Sequence, residues 1–134
     1  MIILIAILLA VVTAVFHHFA LRTLRSWLSD RLAGRPNTPL LSFLSLVVIH
    51  FIHISGGGLL YYTLYRAGFD DFGTGFETAL DFLHISAVYF STVGFSELSV
   101  GGEIRFIGGV QAVLGFMVLT WSATFHYDIC KQSL

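Results

Sequence analysis

The sequence predicts an all-α integral membrane protein with three transmembrane helices, and with a short re-entrant helix and an irregular loop between the second and third. Three observations carry this prediction. Hydrophobic residues make up 56% of the 134, and charged residues only 11%, whereas soluble domains run near a quarter charged. The mean hydropathy is +0.84. The apolar residues are gathered into three runs long enough to cross a hydrocarbon core of roughly 30 Å as helices, and one run that is too short. This composition predicts no separate soluble domain. The net charge of -1 says nothing about partners, and no basic run points to nucleic acid. The single Cys130 excludes an internal disulfide.

Residues 1–39 form an N-terminal unit. Met1 to Leu21 is apolar apart from Thr13, His17 and His18, and reads as a first spanning helix. A cleaved signal peptide would need a charged start and a small-residue cleavage site, and the stretch has neither. Arg22 to Pro39 is polar, with Arg22, Arg25, Arg31 and Arg35 against Asp30, and Pro36 and Pro39 end any helix that continues through Trp27. Arg and Lys accumulate in cytoplasmic loops, so this loop belongs inside and the N-terminus outside.

Residues 40–134 form the second unit. An outer helix occupies 40–66 and contains His50, His53 and Gly56-Gly57-Gly58. Small residues there let helices approach closely; a local kink is the other reading. A polar loop at 67–81 is rich in Gly, Asp and Phe. The Arg66–Arg105 region carries about -4, and the Arg22 loop with the C-terminal tail about +3. The Arg/Lys asymmetry puts the former outside and the C-terminus inside. Phe82 to Phe90 is apolar but short, which suits a re-entrant segment. Irregular backbone at membrane depth is tolerated only where protein covers it or a cavity hydrates it. A last span runs over 104–127, with Arg105 and Gln111 inside it, and ends in a short tail.

Between the short apolar segment and the last span lies Ser91-Thr92-Val93-Gly94-Phe95-Ser96-Glu97. Thr-Val-Gly-aromatic resembles the selectivity filter of tetrameric potassium channels, where Thr-Val-Gly-Tyr/Phe-Gly-Asp is usual. The order of segments is similar to the pore module of small bacterial two-transmembrane, pore-loop potassium channels, with an extra N-terminal helix. The resemblance covers Leu40 to Tyr127, about two thirds of the chain. Tyr89-Phe90-Ser91 matches the end of the pore helix, Arg105 the start of the inner helix, Gly115 a hinge glycine, and Trp121-Ser122-Ala123-Thr124 a stretch near the end of small bacterial members.

The resemblance implies an outer helix at 40–66, a turret at 67–81, a pore helix at 82–91, a filter at 92–97 and an inner helix at 104–127. Carbonyls of Thr92, Val93, Gly94 and Phe95 would line the filter and replace the water around a cation. Successive carbonyls turn to one side when the backbone alternates between right- and left-handed regions, and glycine makes the left-handed step cheap. One chain supplies one filter strand, so the expected assembly is a homotetramer in membrane lipid. Phe116, Leu119 and Ala123 would line the cavity, with Tyr127 near the inner mouth. The implied function is conduction of potassium across a bacterial inner (plasma) membrane, with no cofactor beyond the permeant monovalent cation. Two positions depart from the pattern: Ser96 replaces the second filter glycine and Glu97 its aspartate. A non-glycine residue in the left-handed region costs roughly 1–2 kcal/mol, so the outermost carbonyls are expected to turn away and selectivity is left open. Glu97 forms either an acidic ring at the outer mouth or a carboxylate hydrogen-bonded behind the filter.

Six histidines lie in or beside apolar segments. His50 and His53 share a helix face. They either hydrogen-bond between helices or hold a metal or haem with His17, His18 or His126, which would make the chain a redox anchor. His84 and His126 are candidates for pH sensitivity. A non-conducting assembly subunit is a further alternative, on the strength of the small size and glycine-rich faces. No nucleophile–base pair or phosphate-cradling loop suggests an enzyme.

Overall fold

The structure, a computed structural model, describes residues 1–32, 35–94 and 96–133, with the backbone alone for residues 31, 32 and 133. The described residues form four helices: α1 (Ile2–Leu32), α2 (Thr38–Arg66), α3 (Ala79–Phe90) and α4 (Gly102–Ser133). Three of them, α1, α2 and α4, are long and apolar enough to cross a membrane, whereas α3 is a short apolar helix. This is the helical membrane architecture that the apolar runs predict.

Two helices run further than expected. The polar stretch after Leu21 remains helical to Leu32, and the stretch after Tyr127 remains helical to Ser133. The cause is a continued apolar stripe. Leu21, Leu24 and Leu28 of α1 are buried against Leu46 and Ile49 of α2 and Phe125 and Ile129 of α4. Their spacing of three and four keeps one face inward, so the arginines between them project outward without breaking the helix. Arg25 lies 3.4 Å from Asp128 and places its guanidinium over the Phe125 ring. The C-terminal halves of α1 and α4 therefore lie side by side.

The opposite end is a folded aromatic cap. Phe76 and Phe82 are buried with Tyr61, Leu64, Ile104 and Ile107, and Ile2, Ile5 and Leu9 of α1 pack against them. The Phe82 ring meets Tyr62, Tyr65 and Phe76 at centroid distances of 5.4, 5.2 and 5.2 Å. Thus α1 and α4 both start at this end, and α2 returns to it. The segment after α2 is clamped onto the start of α4. Phe72 bridges to Val100, the Gly73 N–H donates to the Ser99 carbonyl at 3.0 Å, and the Glu103 N–H donates to Asp71 Oδ2 at 3.0 Å. Asp71 thereby satisfies an otherwise unpaired donor in the first turn of α4. Gly102 has a φ of +41° and no room for a Cβ beside the Asp71 carboxylate.

The start of α3 is fixed by Asp81. Its Oδ2 accepts the N–H groups of Thr78 (2.6 Å) and Glu77 (3.0 Å) and the Thr78 hydroxyl (2.9 Å). The Thr78 backbone bond, then the Thr78 hydroxyl and the Glu77 N–H, hold the Asp81 carboxyl below its ordinary range.

From the cap, α3 descends between α2 and α4. Its last residue, Phe90, lies against the rings of His50 and His53 at 5.9 and 5.7 Å, and its carbonyl abuts Gly115. Arg66 to His53 on α2 and Gly102 to Gly115 on α4 are each thirteen residues, or about 20 Å, and the twelve residues of α3 span about 18 Å. All three routes place Phe90 near the middle of the long helices. The chain then climbs back to Val100 at the same end.

Candidate functional site: the loop at the base of α3

The stretch after Phe90 turns by reversals of backbone hand. The Ser91 and Thr92 N–H groups donate to the Ala87 and Tyr89 carbonyls at 2.9 and 3.0 Å, closing the helix. Thr92 then takes a φ of +59° and Gly94 a φ of +69°. Val93 between them stays at negative φ. Thr92 is the only non-glycine residue in the left-handed region among the described residues. Its conformation costs roughly 1–2 kcal/mol, and held strain of this kind concentrates at functional sites.

Thr92, Val93 and Gly94 are all exposed on the single chain. Val93 is 69% exposed, and a Cβ placed on Gly94 would meet nothing within 4 Å. This strand is uncovered by its own chain at the depth where α3 ends. Phe95, expected as the fourth filter residue, lies outside the described residues. Ser96 does not adopt the left-handed conformation of the glycine it replaces; its Oγ accepts the Leu98 N–H at 3.1 Å. Glu97 is exposed, and no hydrogen bond ties it to another described residue.

The inner-helix residues split into two groups. Gly115 is buried, and a Cβ there would fall on the backbone carbonyl of Phe90. Its visible role is a close approach between the end of α3 and an unbroken α4. Phe116, Ala123 and Tyr127 are exposed and Leu119 is half-buried. They form a strip that begins beside the Gly115 contact and runs toward the C-terminal end of α4.

Behind the loop, a buried polar network ties α3 to both flanking helices. The Tyr61 hydroxyl donates to Gln111 Oε1 at 2.7 Å, Gln111 Nε2 donates to Ser86 Oγ at 2.8 Å, and the Ser86 hydroxyl donates to the Ile54 carbonyl at 2.7 Å. Gly57 makes room for it, since a Cβ there would collide with Gln111 and Ser86; a Cβ on Gly58 would press on the backbone of Leu83 at 3.1 Å. Two of the three consecutive glycines thus serve close helix approach. Sequence reasoning gave Tyr61 and Ser86 no polar role and noted Gln111 only as an interruption of the last span. A lone Gln inside an apolar span was the available signal. Hydrogen bonds between membrane helices contribute about 0.6 kcal/mol on average. We expect Gln111→Leu, which severs its bonds to Tyr61 and Ser86, to lower stability by about 1–2 kcal/mol. Thermal unfolding in detergent checks this; an unchanged midpoint would remove the network from the account.

Below Phe90 the histidines converge. His17 of α1 is fully buried. Its Nδ1 lies 3.3 Å from His53 Nε2 and its Nε2 lies 3.4 Å from Ser122 Oγ, which in turn lies 2.9 Å from His50 Nε2. The interhelical hydrogen bonding expected of His50 and His53 is present, with His17 and Ser122 as the unforeseen members. His126 Nδ1 lies 3.3 Å from Ser42 Oγ, while His18 and His84 are exposed. Among the described residues, no group of three or more His, Cys, Asp or Glu side chains is arranged to hold a metal ion. No protein-family model matches the chain, and no curated protein or solved structure matches it either.

Proposed function

We propose that this chain is the pore-forming subunit of a homotetrameric, potassium-channel-like cation channel, with Thr92–Gly94 and Phe95 as its filter strand. The observation that carries the reading is the alternation of backbone hand at Thr92 and Gly94, at the turning point of a segment that enters and leaves from the same end of the helices. Such alternation turns successive carbonyls to one side, and rings of carbonyls replace a cation's hydration shell. The strand's exposure supports assembly. Irregular backbone at membrane depth needs a protein cover or a water-filled cavity, and the single chain supplies no cover for Val93 or Gly94. Four copies around an axis supply both.

In this reading α3 is a re-entrant pore helix, and its C-terminal end directs partial negative charge to the axis. The exposed strip of Phe116, Ala123 and Tyr127 with Leu119 lines the cavity, an apolar wall suited to gating by dewetting. Glu97, free of partners among the described residues, forms an acidic ring at the outer mouth. The basic residues of Arg22–Arg35 face the cytoplasm and the cap faces outward, in a bacterial inner membrane.

The test is cation flux from proteoliposomes under an imposed gradient, with the mass of the purified assembly. A conducting tetramer is expected; a monomer or an inert tetramer would overturn the reading. Ser96 adds a finer expectation. Glycine there frees the left-handed conformation and removes the Ser96–Leu98 bond, so Ser96→Gly should raise the potassium-over-sodium permeability ratio several-fold. An unaltered ratio would show that Ser96 does not limit selectivity.

A further inference from the structure

We propose that His17 of α1 is a positioning residue of the pore: through His53, Ser122 and His50 it holds the floor on which Phe90 and the filter rest, and protonation of this cluster lowers ion flux. The inference rests on the pore reading above, and it assigns a role to the helix that precedes the pore module.

The geometry is a hydrogen-bonded chain across three helices. His53 and His50 come from α2, His17 from α1 and Ser122 from α4. The Phe90 ring stacks on His53 with an interplanar angle of 18° and lies 5.9 Å from His50. Phe90 is the last residue of α3, two positions before Thr92. A movement of the imidazoles therefore acts on the base of the filter with no intervening element.

The chain is complete when all three imidazoles are neutral. His53 Nε2–H donates to His17 Nδ1, His17 Nε2–H to Ser122 Oγ, and the Ser122 hydroxyl to His50 Nε2; the reversed direction fills it equally well. One added proton keeps the bonds but brings a charge among apolar helices. Added protons on both His50 and His53 make the Ser122 oxygen accept from His50 and His17 together, turn its hydrogen out of the chain, and set two like charges one turn apart on α2. The groups facing the cluster offer no compensation. From α1 there is exposed His18, from α4 Trp121 and Ser122, and from α3 Phe90. No carboxylate, Lys or Arg among the described residues hydrogen-bonds to it, and the Arg25–Asp128 pair lies two turns away along α1. An uncompensated charge inside a membrane bundle is costly, so the charged imidazoles separate and the floor under Phe90 is lost. Histidine ordinarily changes charge between about pH 8 and about pH 5, and a buried imidazole takes up its proton at lower pH than that.

The molecule carries its own reporter. The Trp121 ring lies 5.3 Å from His17, and a protonated imidazole quenches an adjacent indole. In Trp27→Phe, His18→Gln protein, only Trp121 emits and only His17 of its histidine neighbours remains. We expect its emission to fall as pH is lowered from about 7 to about 3.5 in liposomes, the lower window that burial imposes on an imidazole. Over the same range, flux through the wild-type chain should fall at least fivefold. His17→Gln should bring the ratio of flux at the two pH values below twofold, whereas His18→Gln and His84→Gln should keep the wild-type ratio. Should His17→Gln fail to assemble, His53→Gln takes its place with the same expectation. Constant Trp121 emission, a pH-independent wild-type flux, or a wild-type ratio in His17→Gln would overturn the proposal. Absence of flux at every pH would instead overturn the pore reading, because the fluorescence titration does not depend on conduction.

Discussion

Replacing Gly94 by alanine is expected to lower cation flux at least a hundredfold in chains that still assemble. Gly94 holds a φ of +69° and meets no neighbour within its own chain, so the cost argued here is conformational. An L-residue in the left-handed region costs roughly 1–2 kcal/mol, and a tetrameric filter repeats that cost in each of its strands. The summed penalty, about 4–8 kcal/mol, favours a relaxed loop whose carbonyls leave the axis. Each 1.4 kcal/mol is a factor of ten in an equilibrium, so the conducting arrangement becomes a minor state. Liposome flux measured beside the wild-type protein checks this. Full flux in Gly94→Ala would mean that the left-handed step is not part of the conduction path.

Gly115→Ala is expected to destabilise the assembly by about 1–3 kcal/mol per subunit, the usual range for overpacking, and to impair flux. The added methyl falls on the carbonyl and Cα of Phe90, which are backbone atoms and cannot swing aside as a side chain would. Either α3 lifts or α4 moves away. Gly109 provides the control. It lies on the same helix, and a Cβ there meets nothing within 4 Å. Alanine improves a helix interior by roughly 0.5–1 kcal/mol over glycine, so Gly109→Ala should be neutral or slightly stabilising. Thermal unfolding of both variants in detergent separates them. Equal midpoints for the two would contradict the packing role assigned to Gly115.

Much of the architecture was legible in the length of apolar runs alone. Three of them match α1, α2 and α4, and the fourth matches α3, which begins at Ala79 and so takes in residues assigned to the loop. Those residues carry the Thr78–Asp81 cap, a local signal that apolar run length does not register. The ends of α1 and α4 were missed because arginines and a carboxylate disguise a continuing leucine and isoleucine stripe. That stripe also held the key to the histidines. His17 lies four residues before Leu21, in phase with Leu24 and Leu28, and is buried; His18 lies one position off and is exposed. Helical phase alone distinguishes the two adjacent histidines. What phase cannot supply is the partner. Ser122 finds His50 and His17 only where α1, α2 and α4 meet, and Gln111 finds Ser86 only once α3 has entered between α2 and α4, an entry that depends on Gly57, Gly58 and Gly115 together.

The backbone at Ser96 is where local chemistry departs furthest from the channel pattern. The left-handed step of the channel pattern is not taken, and the hydroxyl instead accepts the Leu98 N–H in a short turn. The bond closes the loop on itself, beside the cap cluster against which Leu98 packs. This is the physical ground for expecting a pore with fewer carbonyl sites and moderate selectivity.

The most direct test of the proposed filter is the reversal potential of the reconstituted protein in planar bilayers, with potassium on one side and sodium on the other. The account predicts a current that reverses at a potential displaced in the direction of potassium preference and that Gly94→Ala removes. A tetramer that carries no current, or a current that reverses at zero and persists in Gly94→Ala, would contradict it.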